Sequence, residues 1–360
     1  MDISAIYKHP EDVVAVTSSS GSITYGELYR RSENLAKHII ASGAKRVIVY
    51  GHKEYSMILA YVACLRAGVP YIPVSPQQPV GRRKAIASQA DAGLILCAVG
   101  RGFAGAGSAL SLNIMAVSDE APEQEVQLPD AYAEDQLAYI TFTSGSTGNP
   151  KGVQATRGNL NNYIDWMDKS IPLKPEEEGT ILNLAMFSID LSLTDIYYAL
   201  THGRTLVTTN SEIQQHLTKL YPHLEKSNAA MMVLPPTLVH FMMQSNRFGR
   251  EMMPNLRVVY LSGESLHPGT VRHLLKCFDG DLTVINGYGP TEATCNVCAA
   301  QITDDMCDDR LPVGIVKDAC TTIRIMKDNE DVPVGEEGEI VLIGKSVTGG
   351  YTNEEEGGFC

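Results

Sequence analysis

Positive charge is scarce in this chain. Of its 360 residues, 29 are Lys or Arg against 42 Asp or Glu, a formal net charge of −13. That balance argues against a nucleic-acid partner and leaves no basic face for a membrane surface. Long apolar runs are missing too, and no stretch approaches the length of a membrane span. The first residues, MDISAIYKHPED, lack the charged-then-apolar pattern of a secretion signal. Without that signal, the eight cysteines read as reduced thiols in a cytoplasm. There is no internal repeat. Tryptophan occurs once, at Trp166, in a helical segment over 159–168, and reads as a packing residue rather than a ligand contact. What is present is 44% hydrophobic and 20% charged, a soluble globular composition in a chain long enough for two or three packed lobes.

The stretch 137–152, LAYITFTSGSTGNPKG, carries the strongest local signal. It opens with an apolar run that suits a buried strand. The spacing then predicts a loop over 143–152, where Thr143, Ser144, Gly145, Ser146, Thr147, Gly148 and Lys151 are gathered. Glycines let a backbone turn its N–H groups inward, hydroxyls add donors, and a lysine adds full charge, a combination that holds polyphosphate oxygens. A Walker A loop needs Gly directly before its Lys and Ser or Thr directly after; Pro150 and Gly152 stand there instead. A Ser/Gly linker would not directly follow a buried strand.

Upstream, residues 12–100 alternate between strand and helix patterns. Thr24 and Glu27 form a capping box that starts a helix to about Ala41. Strands are predicted at 46–50, 71–74 and 93–98, and helices at 56–66 and 79–89. Such alternation implies a mostly parallel sheet covered on both faces. The segment 101–107 is glycine-rich and reads as a loose connection, and 120–135 as an acidic surface crossing. Downstream, strands are predicted at 205–207, 231–234, 256–261 and 284–286, with one surface helix over 213–225. From 311 onward short strands at 311–314, 322–326 and 338–344 surround an acidic hairpin-like turn over 328–337.

Three features point to chemistry. Asp190 sits in an otherwise apolar run, and a buried carboxylate needs a cation or several donors. It reads as a helix N-cap, as the counter-ion of a ligand ammonium, or as both. A strand runs into Asn286, Gly287, Tyr288, Gly289, Pro290, Thr291 and Glu292. A Tyr face can stack on adenine, an Asn can both donate to and accept from its edge, and a Glu can hold Mg²⁺. Alone, the same residues are also a Gly-Pro turn with a capping Thr and a solvated Glu. Cys295 and Cys298 form a CxxC pair, but Cys307 and Cys320 lack matching spacing, and Val297 and Ala299 suggest a strand; zinc is not expected.

The loop at 143–152 resembles the phosphate loop of the adenylate-forming superfamily. That group includes nonribosomal peptide synthetase adenylation domains, D-alanine–carrier protein ligases, acyl-CoA synthetases and luciferases. Further motifs of that family occur in order: ITYGEL at 23–28, LRAGVPYIPV at 65–74, the full N-x-Y-G-P-T-E at 286–292, and a run over 338–351 ending in Gly350-Tyr351. The resemblance covers nearly the whole chain. It implies two mostly parallel α/β lobes, 1–180 with the phosphate loop and 181–305 with the substrate and adenine pockets, and a partial β region over 306–360. A further C-terminal lid domain of about a hundred residues, with a catalytic lysine, is expected to be missing, so this chain alone is expected to be weakly active or inactive.

The resemblance also implies roles. Thr143, Ser144, Thr147 and Lys151 grip the phosphates of ATP, together with Gly145, Ser146 and Gly148. Thr291 contacts the α-phosphate and Glu292 holds Mg²⁺. Asn286, Gly287, Tyr288 and Gly289 hold adenine, walled by Gly263 and Glu264. Asp190 pairs with the substrate's α-amino group, in a pocket lined by Phe187, Leu191, Thr194, Tyr260, Ser262, Gly287 and Cys295. The implied reaction is ATP-dependent formation of an aminoacyl-adenylate, then transfer to a carrier protein's phosphopantetheine thiol. The stretches around Phe187 and Gly289 are most similar to D-alanine–carrier protein ligases, although Ser262 stands where those ligases typically carry Cys. A peptide-synthetase domain for another small amino acid fits nearly as well. The alternatives are an acyl-CoA or aryl-acid ligase, and a catalytically incomplete nucleotide-binding module.

Overall fold

The computed structural model describes residues 1–100, 102–103, 109–144, 149–316 and 321–352. Its first layer is a six-stranded sheet in the order Leu110–Asn113, Leu94–Cys97, Val47–Tyr50, Tyr71–Val74, Leu137–Ser144, Pro150–Thr156. All neighbours are parallel except the last pair. Three of these strands are buried at every position, as expected of parallel strands covered on both faces. Tyr55–Ala67 is apolar all round and therefore sits in the core cluster rather than at the surface. It ends at Gly68, whose φ of 69° is the left-handed conformation of a helix C-cap. The capping box at Thr24 is present as read, and the helix it starts spans Tyr25–Ala41.

The second sheet has nine strands, in the order Ile315–Val316, Cys298–Ile302, Thr283–Tyr288, Val258–Leu261, Ala229–Leu234, Thr180–Asn183, Leu206–Thr208, Val14–Ser18, Gly21–Thr24. It is parallel in the middle and antiparallel at both edges. The sheets therefore do not divide the chain at residue 180. The hairpin Val14–Thr24 joins the second sheet by pairing Val16 with Leu206. Short strands of this kind carry no local mark of a partner so distant in sequence.

A third, antiparallel sheet orders Glu330–Asp331, Thr321–Lys327 and Glu339–Gly344. Its hairpin turns at Asp328 and Asn329, with φ of 51° and 67°, the left-handed pair that a tight hairpin demands. The α/β class with a small C-terminal β region is thus as read. Two elements differ. Residues 311–314 form no strand; Ile315–Val316 pairs instead. The surface helix is broken into Ser211–Gln214 and Leu217–Ser227 where His216 takes an extended backbone, φ −130° and ψ 111°; Pro222 lies inside the second helix. Among the described residues no helix is long and apolar enough to cross a membrane. The glycine-rich segment at 101–107 falls largely outside the described residues.

Register fixes where the ligand-facing loops emerge. Asn183 lies opposite Val233, Leu234 opposite Leu261, and Leu261 opposite Asn286. The carboxyl ends of four neighbouring parallel strands are therefore level, and the segments that follow them share one rim. In open α/β sheets that rim is where ligands bind.

Candidate active site

Two cavities open along this rim. One, of about 830 Å³, is lined by Asn286, Gly287, Tyr288 and Gly289 with 262–268, Arg310, Leu311 and Val313. The other, of about 710 Å³, is lined by Asp190, Leu191 and Cys295 with apolar Met186, Ile189, Pro235, Leu238 and Phe241. Ser262, Gly263, Glu264 and Gly289 line both. The residues expected at adenine and those expected at a substrate therefore meet at one junction.

Two glycines make that junction possible. A Cβ on Gly289 would lie 2.4 Å from the Cys295 carbonyl oxygen and 2.6 Å from Asn296 Cα. A Cβ on Gly287 would lie 2.4 Å from Tyr260 Oη. Tyr260 thus rises into the space that Gly287 leaves free. It is fully buried in the core, not among the cavity-lining residues as expected.

The segment 184–191 forms one cavity wall. The position of Asp190 there is half-buried, yet burial raises its carboxyl above the ordinary range. A hydrogen bond with Thr291 and the Leu191 amide oppose that shift, and the Glu292 charge adds to it. The helix N-cap expectation is corrected. Ser192–Thr201 has Leu191 as its cap with no side-chain bond, and it is the Asp190 carbonyl that accepts from Leu193 N at 2.8 Å.

Phe187 also differs from expectation. Its ring turns into the core, edge-on to Tyr61 with centroids 6.2 Å apart, and does not line the cavity. In a run of apolar residues, composition does not say which one faces in. Thr194 lies behind Cys295, with Oγ1 3.8 Å from its Sγ and 2.7 Å from Tyr163 Oη. Burial first, then the Asp190 charge, holds the Cys295 thiol well above its usual range, so it is a neutral wall group. Cys298 begins the strand that follows.

Below the junction is a polar network that sequence reasoning missed. Ser262 Oγ donates to Asn296 Oδ1 at 2.6 Å, and Asn296 Nδ2 donates to Tyr163 Oη at 3.2 Å. Trp166 stacks on Tyr163, with centroids 5.5 Å apart, and packs as read. Asn296 carries no signal beyond its closeness to the 286–292 motif.

Asn286 is buried, and its Nδ2 donates to the Pro312 carbonyl at 2.9 Å. Glu264 Oε2 accepts from Thr237 N at 3.0 Å and from Thr237 Oγ1, so it caps the first turn of Pro236–Met242 while lining both cavities. Glu264→Ala is expected to lower stability by about 1 kcal/mol, the usual cost of a lost helix cap, and urea denaturation measures it.

The phosphate-loop residues divide between strand and tip. Thr143 and Ser144 end one strand, and Lys151, opposite Thr143, lies on its antiparallel partner. The expected ten-residue loop is shorter because the hairpin pairing supplies ladder bonds to both ends. Gly145, Ser146, Thr147 and Gly148 lie outside the described residues, as does Cys320. Tyr351, unmarked in the sequence as a site residue, joins this strand. Its Oη donates to Glu292 Oε1 at 2.6 Å, and Lys151 Nζ sits 4.6 Å from its ring centroid. Lys151, Tyr351 and Glu292 are thereby brought together. Thr291 joins Asp190 instead.

The family described as AMP-binding enzyme matches residues 4–352. A D-alanine–D-alanyl carrier protein ligase of Bacillus licheniformis is 35% identical over 352 residues, covering 96% of this chain and 69% of its own length. One from Listeria welshimeri is also 35% identical, covering 93% of this chain and 67% of its own length. Among solved structures, an NRPS protein containing adenylation and PCP domains superposes with a TM-score of 0.81 at 25% identity, over 97% of this chain and 62% of that one. The N-terminal subdomain of Klebsiella oxytoca NpsA, at 21% identity, shares the fold with a TM-score of 0.80, over 97% of this chain and 87% of that one. The chain thus spans roughly two thirds of the length of the full relatives it matches.

Proposed function

The chain belongs to the AMP-binding enzyme family, and on that premise we propose that it activates a small amino acid as an aminoacyl-adenylate for transfer to a carrier protein. The observation that carries this reading is Asp190. It is a desolvated carboxylate in a largely apolar cavity that adjoins the Asn286–Gly289 cavity, and among the described residues no cation forms an ion pair with it or figures among the main influences on it. A ligand ammonium would meet that need. The family match supports ATP as the nucleotide. Relatives that are D-alanine–D-alanyl carrier protein ligases support alanine and a carrier thiol.

In this reading a substrate carboxylate oxygen bonds to the α-phosphorus of ATP as the bond to pyrophosphate breaks. Positioning and charge neutralisation carry such a step. Tyr288 and Asn286 hold adenine, Thr291 holds the α-phosphate beside Asp190, and Lys151 with Thr143, Ser144 and Thr147 draws the leaving phosphates. Glu292 would hold Mg²⁺. A single carboxylate suits an ion that takes most of its ligands from phosphates and water, and the described residues contain no cluster of three acidic, Cys or His ligands. The ion would neutralise phosphate charge. The reaction's reagents and the free described thiols suit a cytoplasm.

Thermal unfolding with aminoacyl-sulfamoyl-adenosines, D- and L-alanyl first, tests the reading. A ligand at a hundred times its dissociation constant stabilises by about 2.7 kcal/mol, so the midpoint rises clearly. A rise with another amino acid alone would move the specificity, and a response to AMP but to no aminoacyl compound would sink the amino-acid assignment. pH gives a second check. Because Asp190 is raised, it loses its charge on acidification earlier than a free carboxylate, whose pKa is about 4. Affinity for D-alanyl-sulfamoyl-adenosine, followed by calorimetry, is expected to fall from above that range downward, and Asp190→Asn to remove that dependence.

A further inference from the structure

Lys53 is buried where the two large sheets meet. It follows Val47–Tyr50 of one sheet, and its ammonium donates to Asn183 Oδ1 at the end of Thr180–Asn183 in the other. Asn183 Nδ2 donates in turn to Asp195 Oδ2 at 2.8 Å, in the first turn of Ser192–Thr201. Lys53 is 2% exposed and the other two 0%. In sequence, Asn183 and Asp195 bracket the segment 184–191, the cavity wall that holds Asp190. Their hydrogen bond ties the two flanks of that segment together, and Lys53 Nζ, 5.6 Å from the Phe187 ring centroid, holds its middle.

We propose that Lys53 is a positioning residue, the centre of a buried clamp that sets the wall segment 184–191 and thereby aims Asp190 at the substrate amine. This rests on the reading of Asp190 as the amine's counter-ion. Asn183 bridges the two opposite charges; buried opposite charges are a poor source of stability, since well-packed apolar side chains of similar size often do as well or better, and their best-attested use is to specify one conformation. Burial drives both Lys53 and Asp195 toward their neutral forms, and the attraction between them works against this. Asp195 Oδ1 accepts no hydrogen bond among the described residues, and Oδ2 accepts from Asn183, so loss of Lys53 removes the cation whose charge reaches this carboxyl across Asn183. His52 and His223 face the same region and are both held toward neutrality by burial and by the Lys53 charge.

The test compares the full chain with its Lys53→Met variant in two measurements. Hydrogen exchange of the ligand-free protein is expected to speed by about tenfold in 184–195 while Val47–Tyr50 and Ala229–Leu234 keep their protection. The dissociation constant for D-alanyl-sulfamoyl-adenosine is expected to rise by roughly tenfold and that for AMP by less than about twofold. If the single variant does not fold, Lys53→Met with Asp195→Asn removes both charges and is expected to show the same pattern. Unchanged protection over 184–195, or an equal loss of both ligands, overturns the clamp. Wild-type protein that binds AMP but no aminoacyl compound overturns the amino-acid reading instead, and the exchange measurement still decides the clamp.

Discussion

Asp190→Ala is expected to weaken D-alanyl-sulfamoyl-adenosine by about thirtyfold or more while leaving AMP within about twofold. Removing one member of a buried, hydrogen-bonded charge pair costs about 2–5 kcal/mol, largely because the other charge is left unpaired. Asp190 lines the apolar cavity and not the one formed by Asn286–Gly289, so a ligand without an ammonium does not miss it. Free protein should respond in the opposite sense. A folded carboxyl above its unfolded pKa binds more protons than the unfolded chain between those two values. Stability therefore falls as pH rises through that window and stays lower above it. Asp190→Asn abolishes this dependence, so its unfolding midpoint at neutral pH is expected to equal or exceed that of wild type even as amine binding is lost. Calorimetry with both ligands and thermal unfolding at pH 4 to 8 measure both halves. Equal weakening of AMP would show that Asp190 only holds the rim together, and unchanged binding of both ligands would remove it from the site.

Gly289→Ala is expected to cost more in folding than any other single methyl at the site, and to weaken both ligands. The added carbon would lie 2.4, 2.6 and 2.9 Å from Cys295 O, Asn296 Cα and Val297 N, all backbone atoms that cannot rotate away. Either the strand end or the 295–297 turn must shift. Overpacking of this sort costs about 1–3 kcal/mol. The turn also carries Asn296, so the Ser262–Asn296 bond beneath the cavity junction shifts with it. Gly81→Ala is the control. It lies in the first turn of Val80–Ala90 with nothing within 4 Å of the new carbon, so Ala there meets no clash and is expected to stabilise, by up to about 0.5 kcal/mol, through the freedom it removes from the unfolded chain. Denaturant unfolding and AMP affinity of the two variants should move in opposite directions from each other in stability, with affinity changed only by Gly289→Ala. A Gly289→Ala protein as stable and as tight as wild type would mean that the turn is free to give way.

Much of this was legible locally because its causes lie within a few residues. The Thr24–Glu27 capping box, the all-apolar runs at Val47–Tyr50 and Tyr71–Val74, and the Gly68 helix stop each follow from neighbouring side chains and backbone limits. So does the presence of a polar Asp190 within an apolar segment, and of a tyrosine, a threonine and a carboxylate directly after a buried strand. What adjacent residues cannot encode is which face of a packed segment looks outward. Phe187 and Tyr260 therefore turned out to support the site from the core, while Met186, Ile189, Leu238 and Phe241 line it.

The alternation of strand and helix and the parallel sheets it requires were determined by the sequence alone, since periodicity, caps and turn residues act over one or two turns of chain; so were the residue types that the 143–152 and 286–292 stretches offer. Tertiary structure decided the pairings between distant residues. Val16 meets Leu206, Tyr351 reaches Glu292, and Lys53 reaches Asn183 130 residues away. Those contacts depend on sheet register and on two lobes packing face to face, and neither is written in any short window of residues.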